Sequence, residues 1–390
     1  MPETAASPEA TNPPDLILRR ARVIDPSQRL DRVTDVAFAG GRVAAIGDGL
    51  VAGPATDSRD LSGRIVTPGL IDLHTHVYWG GTSIGVDAAQ LARRSATVTF
   101  VDAGTAGPAN LAGFRRHVIE PSPVRIVPFL NVSFAGIFAF SSTVMVGECE
   151  DLRLLDLREC VRVAREHADL VVGIKVRVGR SASGSSGVAP LDMALEVAEE
   201  LGLPLMAHLD NPPPARHEVM SRLRAGDILT HCFRPFPNAP SRPGGGVRPE
   251  VLAARERGVI FDVGHGGGSL GFGTTRAMLA AGFRPDVISS DVHSISIDGP
   301  AFDLLHTLGK FHALGMTLPE VIETATVNAA RAIRRPELGT LRPGSPGEAS
   351  VFEVVAGPCE YRDVLGEAFT GDVRLRARGV VLGGRWWHGG

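Results

Sequence analysis

From Pro68 to Arg335 short apolar runs alternate with helix-like stretches, which restricts this part of the chain to repeated βα units around a parallel sheet. Eight strand candidates fall near residues 70–76, 97–103, 125–132, 170–177, 204–209, 227–232, 258–264 and 286–291. Helical periodicity is clearest in Asp151–Asp169 and Leu191–Leu201, and the Gly/Pro/Ser-rich stretches 179–187, 235–246 and 264–273 read as loops. Eight strands in a region of this length predict an α/β fold, a (β/α)8 barrel of the TIM type, with its chemistry at the C-terminal strand ends. A doubly wound open sheet is the alternative. It gives no reason for polar residues to gather at the ends of strands one, four, five, six and eight.

Those ends do carry potential ligands. His74 and His76 follow the apolar run Leu70-Ile71-Asp72-Leu73, and residues two apart on a strand point to one face. Neutral imidazole is the commonest protein ligand for a cation such as zinc. Lys175, His208, His231 and Asp291 each close an apolar run of their own. Lys175 is the most telling. The 40 basic residues include only two lysines, Lys175 and Lys310, yet one of these occupies a hydrophobic strand where a charge is costly to desolvate. A primary amine can take up carbon dioxide as a carbamate, an anion whose two oxygens suit the bridging of two cations. The plainer reading is a buried lysine paired with a carboxylate; the five other ligands beside it favour the carbamate.

Composition narrows the rest. A chain of 390 residues has room for one large domain and a smaller one. A net charge of −3 gives no sign of a nucleic-acid or membrane surface. Cys149, Cys160, Cys232 and Cys359 show no paired spacing, which fits a reducing compartment. Cys232, next to His231, is expected to face the other way as a packed thiol. Residues 1–14 lack a basic start and an apolar core, so a loose tail is expected and no secretory signal. No apolar run approaches the roughly 20 residues of a membrane span, and a cytoplasmic protein is expected. Strand-like pieces at 16–18, 21–24, 35–38 and 43–46, with a hairpin at Gly40-Gly41, are echoed at 349–354, 373–375, 379–382 and 384–387. Residues 15–67 and 338–390 are therefore expected to form one small β-sandwich flanking a catalytic barrel of residues 68–337.

The run Pro68-Gly69-Leu70-Ile71-Asp72-Leu73-His74-Thr75-His76, with Lys175, His208, His231 and Asp291 in order after it, resembles the amidohydrolase superfamily. Gly173-Ile174-Lys175-Val176-Arg177, Asp227–Phe233 and Phe261–Gly266 resemble its dihydroorotase-like deacetylase branch, and the likeness spans nearly the whole chain. The resemblance implies two divalent ions. His74, His76 and Asp291 would hold one, His208 and His231 the other, with carbamylated Lys175 between them. Zinc is the default, manganese or iron the alternatives. It further implies water activated by the metals, a carbonyl polarised by them, and Asp291 passing the proton to the leaving group. A homo-oligomer is implied by analogy.

The leading expectation is hydrolysis of an amide or ester in a small acylated molecule, as in deacetylation. Opening of a cyclic amide (hydantoin, dihydropyrimidine or dihydroorotate) is the nearest alternative, phosphotriester hydrolysis a more distant one, and a non-catalytic scaffold the alternative from another class. Arg177 is expected to share the inward face of Lys175, where it could grip a substrate carboxylate or form a structural ion pair. His265 is expected to donate to the substrate carbonyl, with an ordinary loop histidine as the alternative. Asp102 is either a hydrogen-bonded core aspartate or a partner of a ligating imidazole. Tyr78 and Trp79 are expected to pack rather than line the pocket, and Gly264–Gly268 to be active-site loop backbone rather than a nucleotide cradle. His117, His167, His217, His306, His312 and His388 carry no assigned role. No Gly-x-x-x-x-Gly-Lys sequence offers a rival chemistry.

Overall fold

The computed structural model describes residues 13–388, so the expected tail, apart from Pro13 and Pro14, lies outside the described residues. At the start, β1 (Leu16–Asp25) pairs antiparallel with β2 (Leu30–Ala39), and β3 (Arg42–Gly47) returns along β2 after the Gly40-Gly41 turn. β4 (Asp57–Asp60) and β5 (Ile65–Pro68) lie parallel to β1. The pieces 16–18 and 21–24 are one strand, not two. A register shift between Leu18 and Ala21 kinks it, Arg20 has φ +56°, and its N–H bonds Asp35 Oδ1 at 2.9 Å.

The middle of the chain forms a seven-stranded parallel sheet in sequential order. Its strands are β6 (Leu70–Thr75), β7 (Thr97–Ala103), β8 (Arg125–Asn131), β9 (Gly173–Val178), β10 (Leu205–Leu209), β11 (Ile228–Leu229) and β12 (Ile260–Phe261). The eighth expected strand, 286–291, makes no regular ladder. Single parallel bridges join Asp262 to Val287 on one side and Thr75 to Val292 on the other. The segment's backbone bonds are scattered, Val287 N to Phe261 O at 3.1 Å, His265 N to Ser289 O at 3.2 Å and Asp291 N to His74 O at 2.7 Å, and side chains add to them. Asp72 accepts from Ser290 N at 2.9 Å, and Gly264 N donates to Ser289 Oγ at 3.0 Å. The curled sheet is thus spanned, but not closed, by a regular strand.

Inward residues of alternate positions, including Ile71, Leu73, Val101, Val127, Phe129, Met206 and Ile228, fill one end of the curl with Ala329, Ala330 and Ile333. Outward residues such as Leu70, Ile174, Val176 and Leu205 pack in a second cluster with helix residues Leu91, Leu191 and Val197. The other end of the curl is left for polar groups. At the far end of the chain, β13 (Ala349–Arg362) runs antiparallel to β5, followed by β14 (Ala368–Leu382) and β15 (Arg385–His388). Both termini therefore meet in one eight-stranded sheet, ordered β15-β14-β13-β5-β1-β2-β3 with β4 beside β1. Among the described residues no helix is long and apolar enough to cross a membrane.

Candidate metal centre

The pairing of β6 with β7 shifts between Asp72 and Thr75. This irregularity brings His74 onto the polar end of the curl together with His76, their rings 5.4 Å apart and nearly edge to face. Asp291 Oδ1 lies 3.3 Å from both Nε2 atoms. These three residues are grouped closely enough to hold one metal ion.

Hydrogen-bond partners fix the tautomers. The Thr230 hydroxyl donates to Asp262 Oδ2 at 2.7 Å, so it accepts from His74 Nδ1, also 2.7 Å away. His76 Nδ1 lies 2.7 Å from Thr105 Oγ1, whose hydroxyl in turn bonds Asp102. Both Nε2 lone pairs are therefore aimed at a carboxylate oxygen, and Asp291 Oδ1 is buried without a hydrogen-bond donor. Lone pairs facing lone pairs in a desolvated site repel one another until a cation lies among them. The donor set fits a divalent metal. Burial pushes His74 down, His76 down to about 3 and Asp291 up to about 6.

A second pair adjoins the first. His208 on β10 places Nδ1 2.7 Å from Nε2 of His231, which follows β11, and the His231 ring lies 5.1 Å from that of His74. His231 Nδ1 donates to Gly264 O at 2.7 Å. Burial pushes both imidazoles well down. Gly264 makes this packing feasible: a Cβ there would lie 2.3 Å from Thr230 Oγ1, 2.9 Å from His231 Nδ1 and 3.0 Å from His74 Nδ1. His231 (φ +65°) and Asp291 (φ +47°) themselves occupy the left-handed region, a local cost of order 1–3 kcal/mol each that the surrounding packing must offset.

Lys175 on β9 is fully buried, with Nζ 3.3 Å from Met206 Sδ; burial lowers its amine to about 7, against the opposing pull of the Asp291 charge. Arg177 shares its inward face. Nη1 is 2.9 Å from Glu148 Oε2, so the ion pair exists, yet Arg177 also lines a cavity of about 280 Å³ with His208, Arg234, Asp291, Met145 and Ile295.

His265 departs from expectation. It is fully buried, with Nδ1 2.9 Å from Gly266 O and Nε2 2.7 Å from Lys310 Nζ, so neither ring nitrogen is free for a substrate carbonyl. The lysine needs Nε2 as an acceptor, which leaves Nδ1 as the donor to Gly266 O. Asp102 accepts the backbone N–H groups of Val77 and Thr105 and reaches His76 only through Thr105. Tyr78 stacks on Phe114 at 4.5 Å, and Cys232 is a buried thiol with a pKa pushed well up by desolvation.

Several residues of the site escape the sequence reading. His293 lines the cavity two residues beyond Asp291, the same spacing that links His74 and His76. Arg234 also lines it; Nη1 donates to Ser269 Oγ at 3.1 Å, and among the described residues it has no ion pair. Its signal is weak, a lone arginine in an arginine-rich chain.

No family model matches the chain. It is 35% identical over 357 residues to a deacetylase of Agrobacterium fabrum, an alignment covering 90% of this chain and 86% of that one. A deacetylase of Brucella anthropi is 34% identical over 360 residues, with 90% and 87% covered. Among solved structures, a dihydroorotase superposes with a TM-score of 0.87 at 31% identity, covering 95% of this chain and 98% of that one. An adenine deaminase gives 0.88 at 27%, covering 96% and 99%. With likeness of this extent joined to the His/Asp cluster, the chain is a hydrolase of the amidohydrolase superfamily, in its dihydroorotase-like deacetylase branch.

Proposed function

We propose that the protein is a binuclear metal hydrolase that removes an acyl group, acetyl in the simplest case, from a small N-acyl or O-acyl compound. The observation that carries this reading is the meeting of the His74 and His76 Nε2 lone pairs on an orphaned Asp291 oxygen, 3.3 Å from each. His74, His76 and Asp291 would hold one ion and His208 and His231 the other, with Lys175 between them as its carbamate. The amine of Lys175, lowered to about 7, is available near neutrality in the unprotonated form that adds carbon dioxide. Zinc suits the nitrogen-rich set, with manganese or iron as alternatives. When bound, such ions supply Lewis acidity, making water acidic near neutral pH and polarising a carbonyl.

The chain's own residues then divide the work. Asp291 would take a proton from water and return it to the leaving amine or alcohol. Arg177 and Arg234 face the cavity with a concentration of positive charge that favours a substrate bearing a carboxylate. Residues 15–67 and 338–390 form a β domain flanking a (β/α)8 barrel of 68–337.

A second reading, opening of a cyclic amide, is favoured by the likeness to the dihydroorotase. Metal analysis and a substrate panel test both. Purified protein is expected to hold two divalent ions per chain, and chelation to abolish hydrolysis. Release of acetate from N-acetyl amino acids or acetyl esters supports deacetylation; turnover of cyclic ureides alone transfers the assignment to ring opening. Lys175→Arg keeps the charge but cannot form a stable carbamate, so full activity in that variant removes the bridging role.

A further inference from the structure

His208 has two ring nitrogens with different surroundings. Nδ1 points into the histidine cluster, 2.7 Å from His231 Nε2. Because His231 uses its own N–H on Gly264 O, the proton between the two rings belongs to His208 Nδ1. Nε2 of His208 is buried and has no hydrogen-bond partner, and 3.8 Å from it Asp210 Oδ2 is also buried without one. A bare imidazole nitrogen and a bare carboxylate oxygen thus face each other, one proton short of a hydrogen bond.

We propose that Asp210 is a positioning residue that captures His208 in its Nε2–H tautomer, turning the Nδ1 lone pair toward the ion shared with His231. The inference rests on the binuclear reading and adds to it a residue that the ligand set does not contain. The ring gains and loses nothing overall: its single proton leaves Nδ1, enters at Nε2, and closes the gap to Oδ2. A ligating histidine commonly gives its other N–H to a carboxylate in this way, which fixes ring orientation and raises its basicity.

The seat of Asp210 is built around that role. Its N–H donates to Val178 O at 3.0 Å, its carbonyl accepts from Asn238 Nδ2 at 2.7 Å, and Oδ1 accepts from Ser181 N at 3.4 Å. Room for the carboxylate comes from Gly179. A Cβ there would lie 2.0 Å from Oδ1, and its φ of +138° suits glycine alone.

The test compares wild type with Asp210→Ala, Asp210→Asn and Gly179→Ala, using zinc alone as the probe. Competition against a fluorescent zinc chelator reports the affinity of each equivalent without any assay of activity. One equivalent is expected to weaken roughly 10–100-fold in Asp210→Ala, with the other unchanged. Asp210→Asn, which keeps an acceptor oxygen of lower charge, is expected to weaken less, and Gly179→Ala to follow the alanine variant by displacing the carboxylate. Should Asp210→Ala not fold, the other two variants decide the matter. Wild-type retention of both equivalents in Asp210→Asn and Gly179→Ala overturns the assignment. A wild-type protein that holds fewer than two ions overturns the binuclear reading itself, and this assignment with it.

Discussion

Asp291 combines three requirements in one side chain: a left-handed backbone, a buried orphaned oxygen and a pKa raised by desolvation. Asp291→Asn should fold, because it preserves shape while removing a carboxylate that is costly to bury. It should also lose at least about 10²-fold in kcat, the lower end of what general acid–base groups contribute. Measuring kcat beside the unfolding midpoint separates the two effects; a variant with wild-type turnover defeats the proton-transfer role. Thr230 offers a finer probe, since its hydroxyl stands between His74 and Asp262. Thr230→Val keeps the shape and removes the relay, so metal affinity should fall roughly 10–100-fold, read by chelator competition. An unchanged affinity would mean that His74 is oriented by packing alone.

Helix Leu304–Ala313 shows how an element far down the chain supports the site. From it Lys310, fully buried, places Nζ 2.7 Å from His265 Nε2, 2.7 Å from Pro300 O and 2.6 Å from Arg362 O. Lys310→Met strands those acceptors and should cost about 2–4 kcal/mol at neutral pH if more than one is left unpaired. Burial lowers the amine to about 7, below its ordinary value. From about pH 7 upward to that ordinary value, near 10.4, the unfolded chain therefore holds a proton that the folded chain has released. Stability contributed through this group rises with pH across that window. The gap between wild type and Lys310→Met should widen from pH 7 to 9.5 in denaturant titrations, and a constant gap refutes the linkage. The same element marks a boundary of sequence reading. Strand ends could be read because apolar runs announce where they stop, and β9 and β10 present Lys175 and His208 as alternation requires, whereas His231, past the end of β11, reaches the site through a left-handed backbone. His265 could not, because Gly264 and Gly266, with φ of +46° and +52°, reverse the chain and break that alternation. Asp156 likewise delays a helix expected from 151 by accepting Glu159 N at 3.0 Å, so that it runs Leu157–Glu166.

At the scale of the molecule, the two ends of the chain are fastened to the parallel sheet by buried bonds. Ser350 Oγ on β13 accepts from Leu70 N at 2.8 Å and donates to Ala96 O at 2.6 Å, while Arg125 Nη2 reaches Glu348 Oε1 at 2.5 Å. Removing residues 349–388 would strip β5 of one of its two partners and expose the apolar side of helix Leu304–Ala313, so no folded barrel is expected from that truncation. A cooperative unfolding transition in the truncated chain would contradict this. The pairing of terminal pieces could be anticipated from their matching strand patterns; their order within one sheet could not, because it depends on contacts between residues hundreds apart. Segment 286–292 has a further consequence. It is a seam, stitched to β6 by Asp291 N to His74 O at 2.7 Å and His76 N to Val292 O at 3.1 Å. Brief parting along that seam would swing the carboxylate away from two imidazoles while the lysine and the other histidine pair stay in place. One ion should then exchange with solvent faster than its neighbour, and adding zinc should slow amide exchange in 286–292 far more than in 173–178.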